Sequence, residues 1–325
     1  MTEDWAALLQ FLRETWGMRS LALVDRPRRV TGGYGRRLWH LDLAAPVWAE
    51  HRQFQLRCAD PGKASLRLEI ERLRWLASRG YPVSRPLLWA EDARVVGEPF
   101  ALLAWVPGAT LAERIRAEGW QPDGTEGYLI GHLLARLHAL APDRFPAEAA
   151  PGSWAPALGA LGNFLGPSRL AALRDWLRGR EVQGRAHTIC HLDLHPLNVV
   201  LSGDEAVVLD WEMARVDDPL LDVAMAQVHT EIALGIGEYP RTPAGFAYSH
   251  DVLDAYRALR PVAEADLRYY RALAACRRLG DVAGALRRAQ LREEDRAELA
   301  AEGAAALGLL DREIGFGGRG ASASE

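Results

Sequence analysis

Between residues 191 and 222 the chain reads His191-Leu-Asp193-Leu-His195-Pro-Leu-Asn198, then Val199-Val-Leu201, a turn at Ser202-Gly203, Ala206-Val-Val-Leu209, Asp210-Trp-Glu212, and finally Asp217-Asp-Pro219-Leu-Leu-Asp222. Two short apolar runs split by a glycine-containing turn read as a hairpin of buried strands. Polar groups stand at the strand ends. Asp193 and Asn198 lie five positions apart around a proline loop, and Asp210 closes the second strand, so a hairpin can bring the three side chains together. Their chemistry suits phosphoryl transfer. A carboxylate orients and deprotonates the attacking hydroxyl, while an Asn and an Asp supply hard oxygens to Mg²⁺ on nucleotide phosphates. Asp218 before Pro219 reads as a helix start, N-cap then first helical position.

The H-x-D-L-x-x-x-N spacing matches the catalytic loop of kinases. With its flanking segments the stretch resembles the aminoglycoside phosphotransferase and choline kinase family, a branch of the protein-kinase-like fold. That family reads H-G-D-x-H-P-x-N, then I-D-W-E, then G-D-P-x-x-D-L-A. The chain departs from it at Leu192, Asp217 and Val223, none of which removes a catalytic group. The resemblance spans about residues 20 to 290 and implies an α+β, bilobal fold. A small antiparallel-sheet N-lobe with one main helix would occupy residues 1–103 and a hinge 104–108. A larger, mostly helical C-lobe with the catalytic loop and acceptor site would occupy 109–315, and a flexible tail 316–325.

The same resemblance assigns roles upstream. Gly32-Gly-Tyr-Gly35 stands where the family has its nucleotide loop, and Gly32 and Gly33 let backbone N–H groups approach phosphates. Read alone, two glycines in a turn are more often an ordinary hairpin. Arg57, in Phe54-Gln-Leu-Arg57-Cys58, holds the strand position where kinases carry a phosphate-contacting lysine that pairs with a helix glutamate. A guanidinium can serve both a phosphate and a carboxylate, and Glu69, in the helical stretch 66–76, is the implied partner. The segment Gly97-Glu-Pro-Phe100 to Val106 resembles the connection between lobes, with backbone contacts to the adenine edge at Ala104 and Val106. The implied cofactors are ATP or GTP, and Mg²⁺ held by Asn198 and Asp210. Asp193 orients the acceptor hydroxyl and takes its proton.

Composition bounds the reading. With 325 residues, 49% of them hydrophobic and 25% charged, the chain can bury a large core. A net charge of −4 gives no reason to expect nucleic acid or an anionic membrane as partner. The basic residues are almost all arginine, spread along the chain among acids; the single lysine, Lys63, reads as a solvated loop charge. Cys58, Cys190 and Cys276 are far apart and odd in number, which fits a reducing compartment. The acidic N-terminus and the lack of a membrane-length apolar run complete the expectation of a cytoplasmic protein.

Helical periodicity marks residues 4–16, 111–118, 127–140, 243–259, 264–279, 281–290 and 294–314, and residues 142–167 form a proline- and glycine-rich insertion, a candidate lid or acceptor wall. His138 reads as a packed structural histidine. Only eight residues separate Asp210 from Pro219, too few for the activation segment that holds a peptide. The expected enzyme is therefore a small-molecule O-phosphotransferase acting on an aminoglycoside-like antibiotic, an amino alcohol or a sugar. Glu231, Glu238, Asp251 and Asp254 are candidates to attract a cationic acceptor, although arginines lie among them. Two alternatives stand beside this reading. One is a metal-dependent hydrolase built on His187, His191, Asp193 and His195. The other is a non-catalytic nucleotide-binding regulator, suggested by the missing lysine.

Overall fold

The computed structural model describes residues 4–30, 37–50, 52–60, 65–147, 158–182, 187–287 and 291–315. Gly32, Gly33, Lys63 and the segment 316–325 lie outside them. The chain forms two compact units, Met1–Gly108 with Val200–Met213, and Ala109–Val199 with Ala214–Glu325.

The first unit opens with α1 (Trp5–Trp16), whose first turn is capped by the Asp4 carboxylate accepting from the Ala7 N–H at 3.0 Å. Strands β1 (Ala22–Leu23), β2 (Arg28–Arg29), β3 (Leu38–Ala44) and β4 (Arg52–Cys58) precede α2 (Leu66–Ser78). Strands β5 (Pro86–Ala90) and β6 (Phe100–Ala104) follow, and the sheet runs β1-β3-β4-β6-β5, with β2 also on β3, every pair antiparallel. The period of two divides β4 between the two faces. Phe54, Leu56 and Cys58 join Leu8 and Leu12 of α1 in the core, whereas Gln55 and Arg57 take the other face.

The second unit begins with β7 (Ala109–Thr110) and α3 (Leu111–Glu118), joined by a capping box in which the Thr110 hydroxyl accepts from the Glu113 N–H and the Glu113 carboxylate from the Thr110 N–H. Helix α4 (Thr125–His138), α5 (Pro167–Arg178) and β8 (Thr188–Cys190) follow. The chain then makes the hairpin β9 (Val199–Ser202) and β10 (Glu205–Val208), and returns through β11 (Arg215–Asp217), which pairs antiparallel with β8. Helices α6 (Pro219–Ile236), α7 (Pro243–Arg257), α8 (Glu264–Leu286) and α9 (Glu293–Ile314) complete it. Helix α6 is apolar on nearly every side, the pattern of a helix buried all round. Helix α4 crosses α7 at Gly127 and Gly131, where an added methyl would meet Asp251 Cβ at 2.5 Å and Val252 O at 2.4 Å.

One boundary differs from the periodicity. Residues 264–279 and 281–290 read as two helices split at Gly280, yet α8 runs unbroken to Leu286. A mid-helix glycine costs only about 1 kcal/mol, and packing of α8 against α6 and α9 outweighs it.

Candidate active site

Asp222, on the first turn of α6, organises the loop at residues 191–198 in the second unit. Its carboxylate accepts from the His191 N–H and the Leu192 N–H, each at 2.7 Å, and meets His138 Nε2 at 3.1 Å. His138 also contacts the Tyr256 hydroxyl at 2.8 Å, the packed structural role the sequence suggests. Burial by itself would raise the Asp222 carboxyl, but the contacts from His138 and His191 hold it below the usual carboxylate range. With both N–H groups clamped, Leu192 sits at φ 65°, in the left-handed region that the family's glycine adopts without strain.

That bend presents Asp193, whose side chain remains 31% exposed. Its N–H donates to His191 Nδ1 at 3.2 Å, and Asn198 Nδ2 donates to its carbonyl at 2.9 Å and to Oδ2 at 3.1 Å. Oδ1 lies 3.6 Å from His195 Nε2 and 3.3 Å from His229 Nδ1. Burial would push this carboxyl up, but the two imidazoles hold it well below the usual range, so it is an anion at neutral pH. Asn198 spends its NH₂ group here, and its Oδ1 has no hydrogen bond among the described residues.

In the first unit, Asp210 follows β10 at φ 58°, a second non-glycine residue in the left-handed region. Strain of this kind collects at functional positions. The segment is fixed on both sides. The Val208 N–H donates to Pro82 O at 2.8 Å, and the fully buried Trp211 donates from Nε1 to Val208 O at 3.1 Å. Arg72 of α2 donates from Nη1 to the carbonyls of Trp211 and Glu212, at 3.0 and 2.8 Å.

Arg57 and Glu69 form a buried ion pair, and Arg57 Nε also donates to Gln55 Oε1 at 2.7 Å. On the same face of the sheet, a cavity of about 330 Å³ is lined by Arg28, Arg29, Val30, His40, Gln53 and Trp105. Gly108, at φ 126°, leaves no room for a side chain: an added Cβ would stand 2.0 Å from the Leu201 carbonyl oxygen.

These motifs fall inside a longer match, since residues 28–262 fit the phosphotransferase enzyme family throughout. The chain belongs to that family. A chain from Ralstonia eutropha described as a candidate aminoglycoside phosphotransferase shares its fold with a TM-score of 0.74 at 19% identity, over 97% of this chain and 98% of that one. An amicoumacin kinase in complex with AMP-PNP, Ca²⁺ and Ami superposes with a TM-score of 0.63 at 14% identity, over 93% of each chain. Among curated sequences, acyl-CoA dehydrogenase family member 10 of Mus musculus is 25% identical over 181 residues, 50% of this chain and 17% of that protein. The phosphotransferase thus spans under a fifth of that relative's length. Its fold is the α+β, protein-kinase-like one, a small antiparallel-sheet unit with helices α1 and α2 and a larger helical unit.

The sequence-assigned residues stand in distinct states. Arg57 meets Glu69 and Asp193 meets Asn198, whereas Gly32 and Gly33 lie outside the described residues. Ala104 has its N–H donated to Arg85 O at 2.9 Å and its carbonyl accepting from Ser84 Oγ at 2.8 Å. Val106 has no such backbone bond among the described residues and is the freer of the two. The His187–His191–Asp193–His195 metal cluster does not assemble. Among the described residues the grouping at this place is Asp193, His195 and His229.

Sequence reading misses two residues. His229 sits seven positions after Asp222, two turns along one stripe of α6, and that spacing is its only signal. Arg72 lies three positions after Glu69, is 4% exposed, and carries no signal in the sequence that marks it as buried. Among the described residues no helix is long and apolar enough to cross a membrane.

Proposed function

We propose that this chain is a small-molecule kinase that transfers the γ-phosphoryl group of ATP or GTP to a hydroxyl of its acceptor. The observation that carries the reading is Asp193, an ionised and partly exposed carboxylate fixed by Asn198, His195 and His229 inside the family's catalytic motif. The acceptor hydroxyl donates a hydrogen bond to this carboxylate. As the acceptor oxygen bonds to the γ-phosphorus, the bond from phosphorus to the β,γ-bridging oxygen breaks and its electron pair leaves with the nucleoside diphosphate. The hydroxyl proton passes to Asp193 late, in a loose transition state, and then to solvent.

Asn198 and Asp210 are assigned as the oxygens for Mg²⁺. The donor set fits a hard cation, since Asn198 turns its NH₂ to Asp193 and keeps its carbonyl oxygen for a ligand. When bound, Mg²⁺ neutralises charge on the transferring phosphate. Arg57, held by Glu69, is assigned to the phosphates with Gly32 and Gly33, and the Val106 backbone to the base. Ala104 is the weaker choice, its backbone groups being already bonded. The amicoumacin kinase complex with AMP-PNP and Ca²⁺ supports a nucleotide and a divalent cation here.

The test is incubation with Mg²⁺-ATP and Mg²⁺-GTP over a mixed panel of aminoglycosides, amino alcohols, sugars and hydroxy acids, with phosphate esters scored by mass spectrometry. An ester formed by the wild type and absent with Asp193→Asn supports the reading. Failure to bind either nucleotide sinks it.

A further inference from the structure

Three side chains of the second unit bring metal-binding atoms together at the proposed base. Oδ1 of Asp193 lies 3.6 Å from Nε2 of His195 and 3.3 Å from Nδ1 of His229, and the three atoms all stand within 4.8 Å of one another. Two imidazoles and a carboxylate, with a position left open, are the donor set of catalytic zinc sites. Bonds of about 2.0–2.2 Å from such an ion put neighbouring donor atoms of a tetrahedron about 3.4 Å apart. Both edges that meet at Asp193 Oδ1 are already close to that length. The third, between the histidines, closes by a turn of His195, the more exposed of the two rings, and the partly exposed Asp193 leaves the fourth position to water.

Hydrogen bonding does not use up these atoms. The separation of His195 from Asp193 is beyond hydrogen-bond reach. Asn198 Nδ2, marked as the NH₂ end of its amide by the Asp193 carbonyl 2.9 Å away, lies 3.3 Å from His195 Nε2 and can only donate to it. The tautomer that offers a lone pair at Nε2 therefore has a partner already. His229 must move its proton from Nδ1 to the buried Nε2, which has no partner among the described residues. The site thus suits an ion that binds imidazole strongly and rejects Mg²⁺, which prefers oxygen. Asp193 and His195 lie inside the family motif, whereas His229 lies outside it.

We propose that Asp193, His195 and His229 bind a divalent transition-metal ion, Zn²⁺ above all, at a site separate from the oxygens assigned to Mg²⁺. The bound ion takes the carboxylate away from the acceptor hydroxyl and so blocks transfer. That consequence rests on the phosphotransfer reading above, while the site itself rests on the side chains alone.

The test uses the full chain, free of any affinity tag and stripped of metal, with Co²⁺ as a coloured and paramagnetic stand-in for Zn²⁺. The wild type should bind a single Co²⁺ with visible ligand-field bands, and proton NMR should show two shifted, exchangeable imidazole N–H signals, one from each histidine. Zn²⁺ should displace the Co²⁺, and a large excess of Mg²⁺ should not. His195→Ala and His229→Ala should each remove one signal and weaken binding about 10-fold or more, since losing a ligand costs at least as much as losing that ligand's own hydrogen-bond partner. Asp210→Asn, which alters an assigned Mg²⁺ ligand, should keep both signals. Melting curves confirm that each variant is folded, and the wild-type spectrum is decisive without any variant. No Co²⁺ binding, fewer than two imidazole signals from the wild type, signals that survive unchanged in His229→Ala, or a site lost with Asp210→Asn would each overturn the inference. None of these outcomes touches the phosphotransfer reading, which nucleotide binding and ester formation decide separately.

Discussion

The Nδ1 atom of His229 lies 3.3 Å from Oδ1 of Asp193, while its other ring nitrogen, Nε2, is buried with no partner among the described residues. Burial lowers the pKa of this imidazole against the opposing pull of Asp193, so the ring is neutral. Its one proton then belongs on Nδ1, facing the carboxylate, because a proton on Nε2 would have no acceptor. His229 is a positioning residue. Replacing it with Ala should cut turnover about 10- to 100-fold, the scale of a small misplacement of reacting groups, while the KM for nucleotide stays put. His229→Asn, which keeps a donor, should recover part of the loss. Steady-state kinetics on the three proteins decide it, and a change in KM alone would argue against positioning.

Asp210→Asn should abolish metal-dependent turnover yet melt close to the wild type. Asparagine is among the few residues that tolerate the φ of 58° found there, and the anchoring by Arg72, Pro82 and Trp211 does not use the Asp210 side chain. Differential scanning calorimetry beside a Mg²⁺ titration of nucleotide binding checks both halves.

Glu69→Ala should destabilise the chain by about 3 kcal/mol, because it strands the Arg57 guanidinium in a site that is nearly closed to water. Replacing both partners with Met should cost clearly less than the two single changes added together. A urea-denaturation double-mutant cycle measures the difference.

The acid limb of stability should depend on Asp222. Its folded pKa is depressed, so its contribution is complete above the unfolded carboxyl value of about 3.9 and disappears as pH falls through the lower folded value. Urea midpoints between neutral and strongly acidic pH should fall less steeply in Asp222→Asn than in the wild type. Parallel slopes would contradict the assignment.

Much of this was legible because it is local. The hairpin, the Asp218 cap and the carboxylates of residues 193 to 222 are set by spacing within about thirty residues, and Glu69 was legible as the partner of Arg57 through the family resemblance. Contacts that depend on which face of a helix turns inward were not legible. Arg72 and His229 each look like ordinary helix polar residues until the neighbouring element is in place. Gly280 misled in the other direction, since a local helix breaker was outweighed by packing that lies far away in the chain. Ala104 shows a third limit: strand pattern locates the segment, but which backbone groups remain unpaired depends on Ser84 and Arg85 alongside it.

Asp193 acts here as the orienting base for transfer of a phosphoryl group to the acceptor, as proposed above. The sharpest test of that role is a single-turnover reaction with ATP carrying ¹⁸O on the γ-phosphate, run with the first acceptor found in the panel and analysed by mass spectrometry. The wild type should deliver the labelled phosphoryl group intact to the acceptor oxygen, and Asp193→Asn should still bind ATP but form no ester. Label found only in free phosphate, or an Asp193→Asn enzyme that transfers as fast as the wild type, would contradict it.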